Sequence, residues 1–149
     1  MRAVVQRVSS GSVAIDGNIH AHIGRGYVIL LGIKKGDSNA AAEYLADKCS
    51  NLRVFEDGDG KMNLSLQDVG GEVLVVSQFT LYSDGKSGNR PGFSEAARPE
   101  EAEPLYEMFV ARMRSVVGQS RVHTGVFRAM MDVTIVNDGP VTILLESKE

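Results

Sequence analysis

Tyr27-Val28-Ile29-Leu30-Leu31-Gly32-Ile33 carries no charged side chain and is apolar on both faces, so it has no face to turn to water. Seven residues are short for a buried helix, and the run reads as a central strand covered on both faces. Before it, Ile19, Ala21 and Ile23 alternate with His20, His22 and Gly24, the pattern of a strand buried on one side. Asp16-Gly17-Asn18 in front is a hairpin signal, because these residue types tolerate the positive φ of a tight turn. Ala3, Val5 and Arg7 against Val4, Gln6 and Val8 make a further strand, and the alternation resumes from Ser12 to Asp16. Three neighbouring strands are therefore expected before residue 35.

Asp37-Ser38 offers an N-cap, and Ala41, Leu45, Cys49 and Leu52 then share one helical face. Residues 56–60 are a turn-rich break. Val73 to Val76 lie within a predicted strand over 72–81, and 83–93 is an unperiodic loop long enough to suspect function. A second helix starts between Pro99 and Pro104, with Glu100, Glu101 and Glu103 at its positive end and Arg112 and Arg114 near its negative end. Its buried stripe is Leu105, Phe109, Met113 and Val116, and Gly118 stops it. Two closing strands, 132–136 and 141–145, flank Asn137-Asp138-Gly139-Pro140, whose composition is that of a turn and, on base rate, of a trans proline bond. The expectation is a single α/β domain over residues 1–149, strand-rich, with two main helices that do not alternate with strands as a doubly wound sheet requires.

The 149 residues comprise 43% hydrophobic and 23% charged side chains, with 16 Lys plus Arg against 19 Asp plus Glu. A chain this long buries roughly 70% of its unfolded surface and needs no metal or disulfide to fold. The single cysteine, Cys49, forbids an internal disulfide. No apolar run approaches the roughly 20 residues that span a bilayer, and Met1-Arg2-Ala3-Val4 leads into a mixed stretch, so a cytoplasmic setting without a membrane is expected. The net charge of −3 excludes a generally basic binder of nucleic acid. The charge is uneven, however: residues 1–36 hold one acid against five bases, and residues 108–131 hold Arg112, Arg114, Arg121 and Arg128 with no acid. Such windows are either solvated surface or a face that meets a polyanion.

Several familiar templates fail. Gly85-Lys86-Ser87 lacks the earlier glycine of a phosphate loop, and Lys61 sits where a calcium loop in Asp57-Gly58-Asp59-Gly60 needs an oxygen ligand. His20 and His22 share a strand face but have only His123 besides, so no metal site is expected. Cys49 lies on an apolar stripe, which argues against pairing it with His123 as nucleophile and base. Ser77-Gln78-Phe79-Thr80 is the remaining signal: polar groups closing an apolar strand either face a pocket or mark the chain's exit into solvent.

Ser77-Gln78-Phe79-Thr80-Leu81 and Asn137-Asp138-Gly139-Pro140-Val141-Thr142 together resemble the paired signatures of the D-aminoacyl-tRNA deacylases, also called D-tyrosyl-tRNA deacylases. Arg2 to Val8, Gly60-Lys61-Met62-Asn63, Gly88-Asn89-Arg90-Pro91 and Thr124-Gly125-Val126-Phe127 fall in the same order and spacing, so the resemblance runs the whole length. It implies barrel-like antiparallel or mixed sheets and a homodimer whose pockets are shared across the interface. It also implies a D-amino acid or glycine esterified to the 3′ acceptor end of tRNA as substrate, and no cofactor. Ser77, Gln78, Phe79 and Thr80 would carry catalysis. Gly139-Pro140, in cis, would enter the partner's pocket, with Asn137, Met131 and Arg7 in substrate binding and Arg7 holding the turn. The chain departs from the family at Arg128, where a glycine is usual, and at Gly92, where a serine is usual.

No histidine or lysine stands near Thr80 in the sequence to activate it, and an unaided hydroxyl is a poor nucleophile. The expected mechanism therefore relies on the terminal ribose 2′-hydroxyl or a water it places, with backbone amides near Phe79 and Thr80 receiving the oxyanion and Gln78 orienting the ribose.

Overall fold

The computed structural model describes residues 1–148. Its most extensive pairing is between β1 (Arg2–Ile15) and the last strand. β1 turns through Asp16 and Gly17, both at positive φ (51° and 82°), into β2 (Asn18–Ile23), and β3 (Gly26–Gly32) follows. Helix α1 (Asn39–Asn51) is capped by Ser38, whose hydroxyl accepts from the Ala41 amide at 3.1 Å. A small hairpin, β4 (Phe55–Glu56) and β5 (Met62–Leu64), closes on Asp57, whose carboxylate accepts from the Asp59 and Lys61 amides. Helix α2 (Leu66–Val69) has a capping box between Ser65 and Asp68 and ends at Gly70. After it come β6 (Glu72–Ser77), a 3₁₀ turn (Phe79–Tyr82), α3 (Pro99–Val117), β7 (Val122–Thr124) and β8 (Asp132–Glu146).

The sheet order is β2-β1-β3-β6-β7, with β8 on β1. β1 pairs antiparallel with β2, β3 and β8, whereas β3–β6 and β6–β7 are parallel. The sheet curls until β2 packs back on β6 and β7, giving a nearly closed barrel.

Two cores explain why β3 and β6 are apolar throughout. Tyr27, Ile29, Leu31, Val73 and Val75 face α1 and α3, where Leu45, Cys49, Phe109 and Met113 are fully buried. Val28, Leu74 and Val76 face the interior of the curl with Val8, Val13 and Ile23. Each face therefore has its own cover, and alternation along these strands selects between two apolar layers. The Cys49 thiol, enclosed in the outer layer, is pushed up by burial to about 12, which makes it packing rather than chemistry.

Two expectations need correction. The strand predicted over 72–81 stops at Ser77, and the chain then coils into the 3₁₀ turn. The two predicted closing strands are one strand of 15 residues. β1 supplies a partner along its whole length, so the Asn137–Pro140 segment does not end the strand. Gln6 pairs with Thr142 and Val8 with Asn137, and residues 138–141 bulge opposite Arg7.

Candidate active site

The parallel strands β3, β6 and β7 deliver their carboxyl ends to the same edge of the barrel, and three irregular segments leave from there. Crevices of sheets with parallel strands lie at such ends, because the chain must depart from the ladder and its backbone groups become available. Gln78 donates its amide to Leu31 O at 2.8 Å as the last rung, and the Leu81 amide closes the turn on Gln78 O at 3.2 Å. The amides of Phe79 and Thr80 precede that first bond of the turn. Gly32 permits this close approach: a Cβ there would stand 2.8 Å from Leu81 Cβ and 3.1 Å from Gln78 O. At the far end Arg2 fixes the turn by donating to Leu81 O at 2.9 Å and stacking 4.6 Å from the centre of the Tyr82 ring.

A cavity of about 600 Å³ opens over this edge, within the range of small-molecule sites. Leu31, Val76 and Val133 line it from the sheet. Ser77, Gln78 and Phe79 line it from the strand end, and residues 127–131 from the segment after β7. Phe79 and Phe93 meet edge to face, 5.2 Å between centroids and 69° between planes, the geometry that ring quadrupoles favour. Phe79 is 58% exposed and Met130 91%. Gln78 Nε2 donates to Thr80 Oγ1. Met131 closes over Gly125, where a Cβ would sit 2.6 Å from its sulfur.

The only charged residues of the lining are Arg98 and Arg128, and no Asp, Glu, His, Lys or Cys is among them. Side-chain acid–base catalysis therefore has no obvious agent here, and what the site supplies is shape, backbone amides, hydroxyls and one carboxamide. Arg128 lies at φ 71°, with Asp16 one of two non-glycine residues at positive φ among those described. An L-residue pays roughly 1 kcal/mol for that conformation.

The second group of expected residues gathers elsewhere. Arg7 is buried in the wall of the sheet. Its Nε donates to Asp138 O at 3.2 Å and lies 3.4 Å from the Asp138 carboxylate, and its Nη1 donates to Val54 O at 2.7 Å. Asn137 spans the bulge, its Oδ1 accepting from the Val141 amide at 2.8 Å and its Nδ2 donating to Thr142 Oγ1 at 3.2 Å. Both ends of that side chain are thus occupied in shaping the loop. Gly139 stands at φ 125° before a cis bond to Pro140, and both residues are exposed. None of Arg7, Asn137, Gly139 and Pro140 lines the cavity of its own chain, whereas Ser77, Gln78, Phe79 and Met131 do, and Thr80 touches it through Gln78.

Sequence reasoning missed Phe93, Phe127 and Arg98. Phe93 had a signal, since it ends the unperiodic stretch already suspected of function. Phe127 had one in the Thr124-Gly125-Val126-Phe127 motif, which gave it no role, and Arg98 had none, because only the fold brings it to the cavity.

The sequence pattern of the family described as D-Tyr-tRNA(Tyr) deacylase matches residues 4–146. A D-aminoacyl-tRNA deacylase of Symbiobacterium thermophilum is 57% identical over 149 residues, spanning 100% of this chain and 97% of that protein. One of Koribacter versatilis is 58% identical over 149 residues, spanning 100% and 99%. Among solved structures, a protein described as a c-Myc DNA unwinding element binding protein superposes with a TM-score of 0.95 at 45% identity, covering 100% of both chains. A probable eukaryotic D-amino acid tRNA deacylase superposes at 0.81 with 16% identity, over 97% of this chain and 98% of that one, a likeness of fold.

Proposed function

Since the chain belongs to the D-Tyr-tRNA(Tyr) deacylase family, we propose that it hydrolyses the ester joining a D-amino acid, or glycine, to the 3′ acceptor end of tRNA. The carrying observation is the cavity at the ends of β3, β6 and β7: about 600 Å³, aromatic on one wall, and without a titratable base. An ester needs no strong nucleophile, only a placed water and a home for the developing oxyanion. The amides of Phe79 and Thr80 serve as that home. Gln78 orients the ribose, Ser77 and Thr80 border the ester, and a water held by the terminal 2′-hydroxyl attacks the carbonyl, so that the ester C–O bond breaks and the amino acid leaves with the water's oxygen while the 3′-oxygen takes up the proton. Thr80 has the Gln78 carboxamide as its neighbour and no base, which favours positioning over nucleophilic attack.

Handedness follows from exclusion. In this reading a second copy of the chain inserts Gly139-Pro140 into the cavity, where rigid backbone leaves room for a hydrogen on one side of Cα and none for a side chain. Met131 borders the amino acid. The exposure of Gly139 and Pro140 supports this, as does the outer edge of β8, which is unpaired among the described residues and carries Leu144 at 74% exposure; long free edges of this kind invite pairing. Function on charged tRNA places the protein where translation occurs, in the cytoplasm, as a quality-control hydrolase. No helix among the described residues is long and apolar enough to cross a membrane.

The test is release of D-tyrosine from D-tyrosyl-tRNA by the purified protein, beside a small nitrophenyl ester. Turnover of the charged tRNA alone is the expected result; retention without turnover identifies a binding module, and turnover of the small ester alone a general esterase. Sharing of the pocket is tested by mixing two inactive variants, Gln78→Ala and Gly139→Val. Random exchange of subunits restores about a quarter of the activity, because half the dimers then hold one intact pocket of two. No restoration contradicts a shared pocket.

A further inference from the structure

The cavity reverses the charge of the molecule around it. The chain carries −3 overall, yet the lining holds two arginines and no acid. Among the described residues neither the Arg98 nor the Arg128 guanidinium has a hydrogen bond, ion pair or ring contact, although the Arg98 carbonyl accepts from the Glu101 and Ala102 amides as α3 begins. Elsewhere the chain's arginines are largely engaged: Arg2 with Glu146, Arg7 with Asp138, Arg112 with Asp47, Arg114 and Arg121 with backbone carbonyls. The nearby Glu95 is occupied with Lys34, 4.0 Å away. Arg128 also holds a backbone conformation that glycine would adopt freely. A strained, unpartnered cation at a site edge is the kind of outlier from which function is reasonably argued.

We infer that Arg128, with Arg98 in the same lining, is a positioning residue for the phosphodiester groups of the RNA 3′ end. This rests on the reading of the site given above. An ester-bearing terminal nucleotide that seats its base against Phe79 and Phe93 brings its own 5′-phosphate to the cavity mouth. A guanidinium offers five donors in a fork matched to phosphate oxygens. Arg128 acts on register and residence rather than on the ester, so it bears on KM and not on the chemical step. A chain that is acidic elsewhere then holds its substrate only by this end and releases the rest, because like charge repels the remaining backbone.

Two substrates separate the role from mere pocket shape: D-tyrosyl-tRNA, and 3′-O-(D-tyrosyl)adenosine, which has the base, ribose and ester but no phosphate. Arg128→Gly is expected to raise KM for the charged tRNA roughly five- to tenfold and to flatten the dependence of log(kcat/KM) on log salt by about 0.7, the release of one counterion from single-stranded RNA. The loss is confined to the substrate that carries phosphates, and Arg128→Lys restores the salt slope. The glycine variant relieves the positive φ and so melts no lower than the wild type, which keeps a folding defect from imitating the effect. Equal losses on both substrates, or no loss on either, overturn the inference while leaving the deacylase reading intact. A wild-type protein inactive on both substrates contradicts the deacylase reading itself and takes the inference with it.

Discussion

Arg7 and Asp138 are joined across the β1–β8 ladder where its register breaks between Gln6 and Val8: the guanidinium Nε donates to the Asp138 carbonyl at 3.2 Å, opposite the bulge it supports. The same guanidinium reaches Val54 O at 2.7 Å on the other side, so one buried cation ties the bulge to the turn after α1. Replacing Arg7 by Ala leaves both carbonyls without their donor and the Asp138 carboxylate without its neighbour. A loss of about 3 kcal/mol in stability is expected, read by chemical denaturation, together with a fall in deacylation greater than the fall in folded fraction. Arg7→Lys keeps the charge and loses the fork, and is expected to recover little of either.

Gly32 is a second structural test, because it concerns the turn rather than the bulge. The Cβ of Gly32→Ala meets Leu81 Cβ at 2.8 Å, an atom fixed to the backbone. The 78–81 turn must shift, at a cost of about 1–3 kcal/mol. Activity is expected to drop at least tenfold at a temperature where the variant is still folded by circular dichroism; undiminished activity would show that the turn does not place the reacting groups.

The chemical step is tested from both sides of the reaction. Thr80→Ala is expected to retain substantial deacylation, since Thr80 has no base beside it. A charged tRNA ending in 2′-deoxyadenosine is expected to lose it. Rapid-quench measurement of both constants checks the pair, and the opposite outcome makes Thr80 the nucleophile.

Asp47 and Arg112 join α1 to α3 through two hydrogen bonds of 2.7 and 3.1 Å. The bond to Arg112 holds the Asp47 carboxyl below its ordinary range. A folded-state value below the unfolded one makes the contribution fully present above pH 4, near the unfolded value, and lost as pH falls through the folded value. Both side chains are substantially exposed, so the effect is small. Asp47→Asn is expected to lower the melting temperature by a few degrees at most at pH 7, with the gap to wild type closing toward pH 2.

How far the sequence spoke depended on how local the physics was. The two-sided apolar run at Tyr27–Ile33, the Asp16-Gly17 turn, the Ser38 cap and the Gly118 stop are decided by residues within a few positions, and each lies where the pattern placed it. The short helix α2 rests on the Ser65–Asp68 capping box, a local signal in a helix of four residues too short to show apolar periodicity. The continuity of β8 was not legible, because Asn137-Asp138-Gly139-Pro140 has the composition of a turn, and only pairing with β1 on both sides of the bulge keeps it in a strand. The site divided in the same way. Ser77 to Thr80 stood out as polar groups on an apolar strand, whereas Phe93, Arg98 and Arg128 converge on them only through the fold.

In the proposed function the cavity admits one hand of an esterified amino acid and hydrolyses it. The direct measurement is the rate of amino acid release from D-tyrosyl-tRNA and from L-tyrosyl-tRNA, each charged on the same tRNA and treated with the same purified protein. The prediction is rapid release of D-tyrosine with the L-ester surviving at its spontaneous rate. Comparable release of both, or release of the L-tyrosine alone, would contradict it.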